Sequence, residues 1–72
     1  MTGEELKDAR HQLGLTVDQF CQIFGIANER TLRGWEYGER NGLPAPVPRQ
    51  LELLVLIALK FPAVRKWLGI GD

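Results

Sequence analysis

The sequence is poor in residues that build disulfide-linked or metal-stabilised folds. It has one cysteine, Cys21, and one histidine, His11, which do not form a metal-ligand pattern. One thiol cannot close an internal disulfide, so we expect neither a disulfide framework nor a metal site. We also find no nucleophile, base and orienting group that together make a catalytic set, and no cofactor motif. We therefore predict a protein of the reducing cytosol that is not an enzyme and needs no metal or cofactor.

Long apolar runs are also absent. The longest extends from Leu53 to Leu59, far short of the roughly 20 apolar residues that span a bilayer. The polar, acidic start from Met1 to Glu5 differs from a signal peptide, which combines a basic start with an apolar stretch. We expect no membrane anchor and a cytoplasmic location.

An excess of one charge is missing as well. Nine Lys and Arg residues balance nine Asp and Glu residues, and the sequence pI is about 6.6. The chain therefore lacks the overall positive charge typical of nucleic-acid binders. Four arginines nevertheless fall in one central stretch, namely Arg30, Arg33, Arg40 and Arg49. They allow a locally basic surface on a neutral protein.

The apolar content is sufficient for a core. Of the 72 residues, 44% are hydrophobic and 25% are charged. This length is near the lower limit for a domain that folds without disulfides or metal. We expect one packed core and a single domain over residues 1–72.

Two capping-box signatures predict the starts of the first two helices. In each, a threonine is followed three residues later by Glu or Gln, at Thr2–Glu5 and Thr16–Gln19. The two side chains of such a box bind each other's backbone amides at a helix N-terminus. We predict helices at about Gly3 to Leu13 and Thr16 to Phe24, each ended by a glycine.

A third helix is predicted after a short turn. Asn28 is a good N-cap, and Leu32 and Trp35 are three residues apart on the expected inner face. The helix should end at about Tyr37, before Gly38. We interpret Trp35 as a core residue and not as a stacking platform.

The remaining sequence predicts a loop and two further helices. Residues 38–48 contain two glycines and three prolines, which favours a loop with extended backbone. Pro48 suits the first turn of a fourth helix that continues to Pro62, and a fifth covers about Ala63 to Leu68. Because no segment alternates strictly between polar and apolar residues, we predict no strand and an all-α fold of five short helices.

The second and third helices, at about residues 16–37, are spaced as in a helix-turn-helix. In this motif the second helix lies in the major groove of duplex DNA. If Leu32 and Trp35 face inward, Asn28, Glu29, Arg30 and Arg33 face outward. Asn pairs with adenine, Arg with guanine, and Glu accepts from cytosine. We also expect Gly34 on this outer face, where it would allow a close approach to DNA.

Three segments resemble the XRE family of phage-repressor and Cro-type regulators: LTVDQFC at residues 15–21, FGI at 24–26 and RTLRGWEYG at 30–38. The resemblance covers about residues 4–60. It implies a lambda-repressor-like helix-turn-helix fold and a transcriptional repressor. The proline-containing loop and the Leu-rich helix after it are similar to antitoxin and phage regulators that repress their own operons.

The resemblance also implies residue roles. Asn28, Glu29, Arg30 and Arg33 match base-reading positions, and the phosphate contacts are assigned to Thr16, Arg40 and Arg49. Val17 stands where the family usually has Gln, so one phosphate contact is expected to be lost or moved. Cys21 replaces a small core residue and is expected to be a buried, inert thiol. Two alternative interpretations stay open. In the first, Arg30 and Arg33 are ordinary solvated surface residues, as most arginines are. In the second, Glu29 is at the helix N-terminus for electrostatic reasons alone.

The fourth helix is apolar nearly all round, which is more than one core-facing stripe requires. Either the fifth helix and Trp67 cover it, or a second copy does so through Leu53, Leu56, Ile57 and Trp67. A homodimer would place two reading helices on half-sites about 34 Å apart, in a palindromic operator. The alternative function is a protein–protein interaction module that has lost DNA binding, which the zero net charge and Val17 favour.

Overall fold

The computed structural model describes residues 1–40 and 42–70, apart from the side chain of Arg40. The described residues contain five helices, which confirms the all-α class. They are α1 (Gly3–Gln12), α2 (Val17–Phe24), α3 (Glu29–Tyr37), α4 (Arg49–Lys60) and α5 (Pro62–Trp67). The predicted bounds are correct to within one or two residues.

The prediction that the chain contains no strand is wrong in one place. Glu39–Arg40 (β1) and Leu43–Pro44 (β2) form a two-stranded antiparallel ladder inside the expected loop. Gly42 adopts a positive φ of 77° between the strands, a conformation that glycine reaches without steric cost. At two residues a strand, the ladder gives no periodic sequence signal, and the fold stays helical.

Both capping boxes are present. Thr2 Oγ1 accepts a hydrogen bond from the Glu5 amide at 3.1 Å, and Glu5 Oε1 accepts from the Thr2 amide at 2.9 Å. The hydrogen bond from the Thr2 amide to the carboxylate lowers the pKa of Glu5. Thr16 and Gln19 form the same pair of bonds at 3.2 and 3.0 Å. The starts of α1 and α2 are therefore set locally.

The core lies where the first four helices meet. The four largest fully buried side chains come one from each of these helices: Leu6, Phe20, Leu32 and Val55. Each contributes about 1.5–3 kcal/mol by leaving water. The glycine at the start of α1 lets this helix approach the end of α3, because a Cβ at Gly3 would lie on the backbone carbonyl oxygens of Trp35 and Glu36.

Side chains also fix the second half of the chain. Arg65 Nη1 donates to the carbonyl oxygens of Ala58 and Leu59 at 2.9 Å each, and so satisfies the C-terminal end of α4. Glu52 accepts from the Met1 amine and from Arg49, and these bonds lower the pKa of Glu52. No helix in residues 1–40 and 42–70 has the length and apolar character that crossing a bilayer requires.

A buried ion pair joins α1 to α3. Arg10 Nε donates to Glu36 Oε2 at 2.8 Å and Arg10 Nη2 donates to Glu36 Oε1 at 3.3 Å. Arg10 Nη1 also donates to the Leu15 carbonyl oxygen at 3.1 Å, just before α2. The paired side chains are only 10% and 9% exposed. This bidentate contact holds α3 against the first half of the chain.

Removal of Glu36 should strongly destabilise the fold, because it leaves a buried guanidinium without its partner. We expect Glu36→Ala to lower the free energy of unfolding by about 3–5 kcal/mol in urea denaturation. The matched control is Glu29→Ala, which removes the glutamate of an exposed pair with Arg33 and should cost less than about 1 kcal/mol. Equal losses in the two variants would contradict the structural role of the buried pair.

Candidate nucleic-acid interface

The outer face of α3 carries the predicted base-reading residues. Leu32 is fully buried and fixes the rotation of the helix against the core. Asn28, Arg30 and Arg33 are exposed, and Glu29 is partly exposed. All four candidates are therefore accessible at the N-terminal half of α3, and Glu29 and Arg33 lie side by side there. Arg30 and Arg33 give this surface a local positive charge, although the chain as a whole is neutral.

The expectation for Gly34 is wrong. This residue is buried within the fold, so it cannot allow a close approach of α3 to DNA. Position 34 lies two residues from the fully buried Leu32 and next to the partly buried Trp35, on the part of α3 that packs inward. A small residue there serves helix packing.

Asn28 has a structural role at the N-terminus of α3. Its Oδ1 accepts from the Thr31 amide at 2.9 Å and from the Thr31 hydroxyl at 3.0 Å. The Asn28 carbonyl oxygen lies 3.8 Å from the Cys21 sulfur. Burial raises the pKa of the Cys21 thiol, which keeps it protonated near neutral pH. With its oxygen engaged, Asn28 retains an amide NH2 group for an external acceptor.

The two exposed arginines of α3 differ in their partners. Arg33 Nη2 lies 3.6 Å from Glu29 Oε2, one helical turn away, and the Arg33 side chain is 68% exposed. An exposed pair of this kind contributes little to stability and exchanges easily for another partner. Arg30 forms no ion pair with any residue among 1–40 and 42–70. Both guanidinium groups are therefore accessible to a base edge or a phosphate.

The predicted phosphate contacts have different environments. Thr16 is exposed at the start of α2, although its hydroxyl oxygen accepts the Gln19 amide in the capping box. Arg49 is largely exposed but pairs with Glu52, so a phosphate would have to compete with this carboxylate. The side chain of Arg40 lies outside the described residues, and its predicted contact stays a prediction.

Two residues that the sequence analysis missed lie beside Arg33. Lys7 of α1, Arg33, Glu36 and Tyr37 line a shallow depression of about 220 Å³. Lys7 is exposed and Tyr37 is 86% exposed. An ammonium, a guanidinium and a phenol hydroxyl on one rim suit a phosphate oxygen. The juxtaposition depends on the packing of α1 against α3, so no local sequence signal predicts it.

The four residues predicted to contact a second copy are all exposed: Leu53, Leu56, Ile57 and Trp67. The interpretation that α5 and Trp67 cover α4 is wrong, because Trp67 is itself 84% exposed. Leu54 and Phe61 are exposed as well, at 47% and 49%. We call these six side chains the apolar face of α4 and α5. Exposed apolar side chains of this kind mark a candidate interaction surface.

The described ranges, 1–40 and 42–70, contain no group of His, Cys, Asp and Glu that is placed to hold a metal ion. No protein-family model matches the chain, and comparisons with curated proteins and with solved structures give no significant match. The case for function therefore depends on the geometry of α3 and of the apolar face.

The cap and the reading role of Asn28 can be separated. We expect Asn28→Ala to lower the free energy of unfolding by about 1 kcal/mol, since the Thr31 amide loses its acceptor. Asn28→Asp keeps the acceptor and favours the helix dipole, so its stability should lie within about 0.5 kcal/mol of the parent. Thermal denaturation monitored by circular dichroism measures both variants. An equal loss in the two would show that the cap is not what holds the start of α3.

Proposed function

We propose that this chain is a sequence-specific duplex DNA-binding protein of the XRE helix-turn-helix type, which acts in the cytosol as a transcriptional repressor. One observation carries the proposal. Arg30 and Arg33 lie exposed on α3 and the exposed Asn28 caps its N-terminus, while Leu32 anchors the helix in the core. Such a helix can enter a major groove without disturbing the fold.

The chemistry of this face suits base recognition. Arg30 and Arg33 each match the two acceptors of guanine, and the Asn28 amide group can donate to an adenine N7. Each good pair is worth about 1–3 kcal/mol of discrimination between bases. Glu29 can accept from cytosine once Arg33 turns to the DNA, because their mutual contact is weak. Glu29 and Arg33 thus offer one negative and one positive side chain for base recognition within one helical turn.

Phosphate contacts would position α3 in the groove. Lys7, Tyr37 and Arg33 form one rim of the face, and the exposed start of α2 at Thr16 forms another candidate contact. Arg49 and Arg40 remain further candidates. With few such contacts, the affinity for DNA should fall only moderately as salt is added. The slope of log K against the logarithm of the salt concentration is about −0.9 for each neutralised phosphate.

We include a homodimer in the proposal. The apolar face of α4 and α5 leaves six large side chains in water, and a small domain gains much of its stability by burying such a surface. Two copies related by a two-fold axis would present two α3 helices to adjacent half-sites. The expected operator is palindromic, and the resemblance to autoregulatory phage and antitoxin regulators favours a repressor of its own operon.

A selection from random duplex DNA at low salt tests the reading role of α3. We expect the parent chain to enrich a palindrome, and Arg30→Ala and Arg33→Ala to relax the choice of base at one position per half-site. Lys66→Ala, an exposed lysine of α5, is the charge-matched control and should keep the same palindrome. A base preference changed as much by Lys66→Ala as by the α3 variants would contradict recognition by α3.

The second candidate is a protein–protein interaction module, which the exposed apolar face favours. The same selection separates the two functions. If the folded parent chain enriches no sequence and binds no duplex at low salt, DNA binding is excluded and the apolar face becomes the functional surface.

A further inference from the structure

A groove lies between α3 and the first half of α4, beside the turn that precedes α3. Its volume is about 370 Å³. The residues that shape it are mostly apolar: Phe24, Ile26, Trp35, Gln50, Leu51 and Leu54. We call it the α3–α4 groove. An apolar cavity of about 150 Å³ already accommodates benzene, so an aromatic side chain fits this space.

The groove is continuous with the apolar face of α4. Leu54 lines the groove and is also 47% exposed on the outer side of the helix. Ile57 and Phe61 follow at spacings of three and four residues, so the three side chains form one stripe along α4. Phe61, the first residue after α4, marks the far end of the stripe, about 10 Å from Leu54.

A two-fold axis turns this stripe into a self-complementary surface. When two α4 helices pack antiparallel with the axis near Ile57, position 54 of one copy meets position 61 of the other. Phe61 then reaches the mouth of the α3–α4 groove in the second copy, and the reverse contact forms at the same time. Each copy has one aromatic ring at one end of the stripe and one apolar groove at the other.

We propose that a second copy of this chain occupies the α3–α4 groove, with its Phe61 seated against Leu54. This inference rests on the homodimer of the proposed function and specifies its register. Because Trp35 and Ile26 line the groove, the seated ring packs directly against α3 and the preceding turn. Dimerisation therefore stabilises the position of α3, the proposed DNA-reading helix.

The matched control is a charge placed outside the apolar face. Leu43 of β2 is 68% exposed, and it belongs neither to the apolar face of α4 and α5 nor to the lining of the α3–α4 groove. A lysine at position 43 would remain in solvent. Leu43→Lys is therefore a matched control for a charge placed on the Leu54 flank.

The test uses two variants that do not form homodimers alone and form a heterodimer when mixed. In Leu54→Lys and in Phe61→Glu, each homodimer places a charge against an apolar partner, so we expect its dissociation constant to rise roughly 100-fold. Mixed in equal amounts, the two form a heterodimer in which the lysine meets the glutamate on one side and the original Phe61–Leu54 contact remains on the other. Sedimentation without DNA should show two monomeric variants, a dimeric mixture and a dimeric Leu43→Lys control.

Fluorescence reports on the groove itself. Trp67→Phe leaves Trp35 as the single tryptophan, and its emission should shift when the dimer is diluted to monomer. A mixture that stays monomeric, variants that dimerise as the parent does, or a Trp35 emission independent of dimerisation would each overturn the proposed register. A parent chain that remains monomeric without DNA would overturn the homodimer, while the random-duplex selection independently tests DNA binding.

Discussion

The guanidinium of Arg10 links the helices that form the candidate interface. It binds both carboxylate oxygens of Glu36 in α3 and the carbonyl oxygen of Leu15 before α2. A side chain from α1 therefore sets the position of α3 and of the entry to α2 at once. The pair is nine-tenths buried, so its contribution lies in fixing one arrangement, since the desolvation of two charges offsets much of their attraction.

The outer surface of α3 follows from this constraint. With Leu32 in the core and Glu36 bound to Arg10, residues 28, 29, 30 and 33 remain on the accessible side. A neutral chain can in this way present a local basic surface, because the charges that matter are those within a Debye length of the ligand, about 8 Å in physiological salt. Under the proposed function, the balanced composition would weaken non-specific attraction to DNA and would leave base contacts a larger share of the binding energy.

Much of the fold could be predicted from local sequence signals. Capping boxes, an Asn cap and terminal glycines placed the helix ends correctly, because these signals act within one helical turn. The two-residue ladder after α3 was missed, since its pairing depends on a turn at Gly42 and not on periodicity. Gly34 was placed on the wrong side because its neighbours Leu32 and Trp35 define a broader buried face than a single stripe.

The candidate site could be predicted only in part, because local sequence signals do not report how the helices pack. Residues of α3 share one element, so their common face follows from helical spacing. Lys7 beside Tyr37, Glu52 beside the Met1 amine and Leu54 at the mouth of the groove depend on how the helices pack. Contacts between distant segments carry no local signal. The exposure of Trp67 likewise depends on the angle between α4 and α5, which the bonds from Arg65 to the end of α4 fix.

The central claim is that α3 enters the DNA. Amide chemical shifts of the 15N-labelled chain, followed during titration with a selected duplex and with a shuffled duplex of equal length, test it most directly. We predict large shifts within residues 28–37 that occur only with the selected duplex, and smaller shifts near Thr16 and Lys7 with both. Shifts confined to α4 and α5, or shifts that are the same for both duplexes, would contradict recognition by α3.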